Sequence, residues 1–117
     1  MKVLWVSRHA PPTRAKEELR ALVGEHSLVW HRDMVSDVGA LLDSLQAQDR
    51  IVATLPLDLL DQLVTLAREQ GRPPVLRPVM RHRDSYGGVR RWEFLGFEEV
   101  LEARVRAQKV GVWSEMR

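Results

Sequence analysis

The chain has 117 residues, 44% of them hydrophobic and 29% charged, and it contains no cysteine. That length suits one compact domain over residues 1–117, and the missing cysteines exclude disulfides, thiolate zinc sites and a cysteine nucleophile. No apolar run approaches the roughly 20 residues of a membrane span, and Met1-Lys2-Val3-Leu4-Trp5-Val6 is too short for a signal peptide's apolar region, so a cytoplasmic protein without a membrane partner is expected.

The formal charge of +2 is unevenly spread, and fifteen of the eighteen cations are arginine. Residues 1–71 hold eight cations against ten acids, residues 72–91 hold six against Asp84 alone, and residues 92–117 hold four against five. The middle stretch, at +5, points to a phosphate-rich partner, because arginine presents a planar, permanently charged fork to phosphate oxygens. A composition that simply favours arginine explains the same count without any partner.

In chain order, Lys2 to Val6 reads as a short buried strand ending at the polar Ser7-Arg8-His9. Pro11-Pro12-Thr13 breaks it and opens a helix, with Thr13 as a cap, Ala15, Leu19, Leu22 and Val23 at helical spacing, and Gly24 at the C-terminal cap. Ser27 to Trp30 is a second strand. Ser36-Asp37 caps a second helix with the apolar stripe Val38, Leu41, Leu42 and Leu45. Arg50 to Leu55 is a third strand stopped by Pro56. A third helix starts at Asp58, turns Leu59, Leu60, Leu63, Val64 and Ala67 inward, and ends at Gly71.

Three strand–helix units, each helix about 10–13 residues long, predict an α/β fold: a mostly parallel sheet with helices on its faces. Residues 73–80 read as a fourth strand that three prolines confine to an edge or an irregular path. Ser85-Tyr86-Gly87-Gly88 reads as a turn, and Val89 to Leu95 as a strand with Gly96 in a hairpin turn. Residues 98–108 fit both a strand and a helix; a strand is favoured, which completes a C-terminal β-hairpin extension.

In open parallel sheets, ligands bind beyond the carboxyl ends of the strands where the strand order reverses. A 2-1-3-4 order places that point between Ser7-Arg8-His9 and Thr54-Leu55-Pro56, beside helix N-termini that attract anions. Arg8 is then the expected phosphate ligand, His9 a proton carrier, and Ser7 and Thr54 hydroxyl donors. The basic stretch 77–83 is expected to open onto the same rim, so Thr13, Arg77, Arg81 and His82 complete the candidate substrate-binding set. A bland role exists for each: His9 as a loop residue, Thr54 bonded to backbone, Ser7 fitting a tight turn, Arg81-His82-Arg83 as a solvated face. Trp5 and Trp30 read as core or helix-packing residues, His26 and His31 as surface positions, and Trp92 and Trp113 as interface or hairpin packing.

No GxGxxG, GxxxxGK[ST], GxSxG or HExxH motif is present, which disfavours a dinucleotide oxidoreductase, a P-loop NTPase and an α/β hydrolase. The histidines are mostly remote from acids, so neither a metal nor another cofactor is expected.

Val6-Ser7-Arg8-His9 after the first strand, with Asp49-Arg50-Ile51-Val52-Ala53-Thr54-Leu55-Pro56 around the third, resembles a small CRISPR-associated family linked to type III systems. Its members are single-domain, Rossmann-like proteins related in architecture to CARF domains. They carry Ser-Arg-His near the N-terminus and Gly-Thr-Leu-Pro before a leucine-rich helix; here Ala53 stands at the glycine position. The resemblance covers about residues 3–66 and none of the arginine-rich region after residue 72.

The resemblance implies a metal-independent ring nuclease that destroys cyclic oligoadenylate messengers, tetra-adenylate foremost, and so ends antiviral signalling. On that reading Arg8 and His9 are catalytic, Ser7 and Thr54 position the phosphate, no DNA is bound, and an even-membered ring favours a twofold homodimer. Two alternatives stand beside it. One is a non-catalytic nucleotide sensor on the same fold; the other is an interaction module whose basic hairpin contacts RNA or a partner.

Overall fold

The computed structural model describes residues 1–84, 87 and 90–103. In order, the elements are β1 (Lys2–Val6), α1 (Thr13–Val23), β2 (Ser27–His31), α2 (Val38–Asp43), β3 (Arg50–Ala53), α3 (Leu57–Glu69), β4 (Val75–Asp84) and β5 (Arg90–Val100). They form an α/β fold around a five-stranded sheet of order β2-β1-β3-β4-β5. The first four strands run parallel, and β5 closes the sheet antiparallel to β4.

Alternation along β1 sends its side chains to opposite faces, and the two helix layers follow from that. Val3 and Trp5 pack with Ala15 and Leu19 of α1, together with Val52, Leu76 and Phe94. Leu4 and Val6 pack on the opposite face with Leu41 and Leu42 of α2 and Leu60, Leu63 and Val64 of α3. The order reverses between β2 and β3, on either side of β1. The expected switch point therefore lies at the ends of β1 and β3.

Local chemistry explains the boundaries. The Asp37 carboxylate accepts from the Gly39 and Ala40 amides at 2.9 and 3.3 Å, which starts α2 as the sequence suggests. Gly24 (φ 79°) and Gly71 (φ 66°) follow α1 and α3 in the conformation that glycine adopts most cheaply. At the start of α1, Pro12 is the N-cap rather than Thr13, which is already helical, and no side chain caps that end. Pro56 likewise precedes α3, which begins at Leu57, one residue ahead of the expected Asp58.

Helix α2 is only six residues long. Its end is tied down from elsewhere: the Arg72 guanidinium donates to the Leu42 carbonyl in its last turn and to the Gln46 carbonyl just beyond it, at 2.9 and 3.0 Å. Asp49, the one buried charged residue among those described, ties the same loop to β1. Its carboxylate accepts from the Lys2 and Gln46 amides, each at 2.9 Å. Those amides, and to a lesser degree the positive charges of Lys2 and the N-terminus, hold the Asp49 carboxyl below the usual aspartate range.

The C-terminal part departs from expectation in three ways. β4 runs from Val75 to Asp84 rather than over residues 73–80: Pro73 and Pro74 precede it, it pairs with β3 at Val52↔Leu76, and Pro78 lies past that pairing, on a stretch that pairs with β5 and has the edge character proline tolerates. Residues 90–100 form one strand, so Gly96 is not in a turn. It pairs with Val79 beside a bulge in which Leu95 is the extra residue between the Val79↔Gly96 and Met80↔Phe94 pairs. The hairpin joins β4 to β5, not a strand ending at Leu95 to one at 98–108. Gly87 sits in a turn with φ 87°, whereas Ser85, Tyr86, Gly88 and residues 104–108 lie outside the described residues, as does Trp113.

Candidate phosphate-binding cleft at the sheet crest

The ends of β1 and β3 open into a cleft of about 650 Å³. Ser7 and Arg8 line it from the β1 side, Arg32 and Asp33 from the segment after β2, and Thr54, Leu55 and Pro56 from the turn into α3. Leu59, Val35 and Val6 form its apolar floor. Two of the expected segments therefore meet, and Arg32, which sequence reading did not single out, joins them.

Five hydrogen bonds set the shape of the Ser-Arg-His loop. The Ser7 amide donates to the His31 carbonyl (3.2 Å), and the Thr54 amide to the Val6 carbonyl (2.9 Å), prolonging the parallel ladders past the last strand residues. The His9 amide donates to Ser7 Oγ at 3.2 Å, so the hydroxyl closes a local turn. Two indoles complete the set: Trp5 Nε1 donates to the His9 carbonyl, and Trp30 Nε1 to the Ser7 carbonyl, each at 2.9 Å. The carbonyls on both sides of Arg8 are thus pinned, and the exposed Arg8 side chain is presented on a fixed backbone.

Trp30 has a second contact. The Arg32 guanidinium lies 5.0 Å from its ring centroid, a cation–π arrangement that orients the cleft's other arginine. Trp5 and Trp30 are register partners on adjacent parallel strands, and so share a face of the sheet at the level of the loop. Sequence reading assigned them to packing. Trp5 is indeed buried, but Trp30 is 39% exposed, and both indole N–H groups are spent on the loop. Their matching distances from the ends of their strands are the signal that points to this pairing.

The cleft carries two cations against the single acid Asp33. The first turn of α3 adds main-chain N–H groups with no side-chain cap, although Asp58 already offsets part of that dipole. Two guanidinium forks, two hydroxyls and a helix N-terminus suit an oxyanion. Among the described residues, no group of histidine and acidic side chains has the arrangement of a metal site.

The other candidate residues lie elsewhere. His9 is exposed on the loop, but its residue does not line the cleft. The stretch 77–83 does not open onto the cleft either, because β4 outruns β1 and β3 and pairs its arginines with glutamates of β5. Arg77 meets Glu98, and Arg81 and Arg83 both meet Glu93, the latter at 2.8 Å. The bond from Arg81 and the charge of Arg83 keep the Glu93 carboxyl below the ordinary glutamate range. His82 packs edge to face with Trp92 at 5.3 Å between centroids, and Thr13 lines a separate groove between α1 and the ribbon. Comparison of the chain with protein-family models, curated proteins and solved structures finds no match in any of the three.

Proposed function

We propose that the crest cleft binds a phosphodiester of a cyclic oligoadenylate and that the protein acts on it as a metal-independent ring nuclease. The observation that carries this reading is the convergence of Arg8 and Arg32 with the Ser7 and Thr54 hydroxyls at the strand-order reversal. The resemblance of Ser7-Arg8-His9 and Thr54-Leu55-Pro56 to the ring-nuclease family gives the ligand its identity.

In such a reaction a ribose 2′-oxygen forms a bond to the adjacent phosphorus while the bond to the 5′-oxygen breaks. The products are a 2′,3′-cyclic phosphate and a 5′-hydroxyl. Arg8 and Arg32 would carry the charge that grows on the non-bridging oxygens. Ser7 Oγ, already accepting from the His9 amide, retains its own proton to donate. His9, next to Arg8 on the same loop, would take the 2′-hydroxyl proton or protonate the leaving oxygen, a role worth about 10²–10⁴-fold. An even-membered ring would bring two protomers together about a twofold axis.

The position of His9 outside the cleft lining favours a second reading, a sensor that binds the ring without cleaving it. Incubation with cyclic tetra-adenylate and EDTA, followed by chromatography of the products, separates the two. Linear product carrying a 2′,3′-cyclic phosphate, lost in His9→Ala, supports the nuclease. Tight binding with intact ring supports the sensor, and neither binding nor cleavage refutes both.

A further inference from the structure

A second surface, sharing no lining residue with the crest cleft, has its own chemistry. The segment opening α1 and the outer half of the β4–β5 ribbon enclose a groove of about 530 Å³, lined by Thr13, Arg14, Arg83, Arg91 and Trp92 over Phe94 and Glu93. Three cations face one acid there. Arg83 spends its charge on Glu93, and Arg14 also lies close enough to lower the Glu93 carboxyl. Arg91 has no hydrogen-bond or ion-pair partner among the described residues, unlike Arg72, Arg77, Arg81 and Arg83. Trp92 is 65% exposed, an uncommon setting for the largest apolar side chain, and its contact with His82 across the ribbon fixes the indole while leaving most of it open.

We infer that this groove binds single-stranded nucleic acid, with an unpaired base stacked on Trp92 and the flanking phosphates held by Arg91, Arg14 and Arg83. Basic grooves with an exposed aromatic platform bind single strands because every base has a stacking face and the backbone supplies the charge. A protein partner reading the arginines alone would gain nothing from an exposed indole in the same groove. A duplex keeps its base faces covered and offers none to the indole. The inference does not depend on what the crest cleft does, since none of the groove residues lines that cleft.

The test uses a fluorescein-labelled 12-nucleotide oligouridylate RNA, which lacks the adenines expected at the crest cleft, and anisotropy on the full chain. Neutralising three phosphates predicts a slope of about −2 for log affinity against log salt, or roughly a 20-fold loss between 50 and 200 mM. Trp92→Ala should weaken binding about tenfold, with Trp92→Phe restoring most of it, and Arg91→Ala should weaken binding and flatten the salt slope by about 0.7. Arg20→Ala, which removes an exposed cation of α1 lining neither the groove nor the cleft, should bind the oligonucleotide like the unaltered protein; because Trp92 and Arg91 also lie outside the crest cleft, failure here and failure of the crest reading are distinguishable. Three results would each overturn the inference: no binding at 50 mM salt, equal affinity for the Trp92→Ala variant, or a duplex bound as tightly as the single strand.

Discussion

The parallel half of the molecule and its antiparallel ribbon use charge in opposite ways. From β1 to α3 the strands are short, β1 and β3 are hidden between two helix layers, and two structural charges are each consumed on backbone: Asp49 on two amides and Arg72, just past α3, on the Leu42 and Gln46 carbonyls. In the ribbon the strands are at least twice as long, 10 and 11 residues, and their charges pair with each other across the ladder in solvent. The first arrangement spends charge on building the fold. The second leaves a surface whose residues can change without the fold noticing. The crest cleft belongs to the first regime, since its loop is locked by backbone and indole bonds, and the groove beside Trp92 belongs to the second.

The contrast predicts a steep gradient in stability effects. Leu63→Ala, at a position with no exposure in the α3 core, should cost about 2–5 kcal/mol in urea unfolding, whereas Leu95→Ala on the exposed bulge should cost less than about 0.5 kcal/mol. Similar losses at both sites would mean that the ribbon is not energetically separate. Asp49→Ala should cost about 1–3 kcal/mol by leaving two amides unpaired. The Asp49 carboxyl is lowered in the folded state, so its contribution is fully present above the ordinary value of 3.8 and is lost as pH falls through the depressed folded value. Acid unfolding of Asp49→Asn, followed by circular dichroism, should therefore lack that component below pH 3.8. Persistence of the full acid dependence would assign it to other carboxyls.

Arg72→Ala should cost about 1 kcal/mol, because the Leu42 carbonyl in the last turn of α2 and the Gln46 carbonyl beyond it lose a charged donor. That expectation separates Arg72 from the +5 stretch in which it sits by sequence. Smallest of all, Glu98→Gln should shift stability by less than about 1 kcal/mol, as for other exposed ion pairs, and the shift should shrink further in 1 M salt. A larger loss would show the ribbon's ion pairs to be part of the fold after all.

The same contrast explains what could be read from the sequence. The α/β class, the strand order through β4, the Asp37 cap and the apolar stripes of α2 and α3 were legible because each rests on local spacing that burial enforces. The convergence of Ser7-Arg8 with Thr54 was legible because it follows from strand order alone. The ribbon was not. A window of residues 72–91 counts +5, but the acids that answer Arg77, Arg81 and Arg83 lie at Glu93 and Glu98, across a turn whose strand register no window contains. Gly96 and Pro78 read as breakers because the bulge and the overhang past β3 that accommodate them are tertiary facts. The roles of Trp5 and Trp30 were missed for a related reason: hydropathy places an indole inside but does not say which carbonyl its N–H will find.

The central claim is that Arg8 and Arg32, oriented by the Trp5 and Trp30 indoles, form one site for an oligoadenylate phosphate. Isothermal titration of cyclic tetra-adenylate into the protein, Arg8→Ala, Arg32→Ala and Trp30→Phe tests it most directly. The account predicts saturable binding that weakens at least tenfold in each arginine variant, given about 1.5–3 kcal/mol for a charge-assisted bond, and by a smaller factor in Trp30→Phe, whose ring can still face Arg32 but cannot donate to Ser7. Binding that is unchanged in Arg8→Ala and Arg32→Ala, or no binding at all, would contradict it.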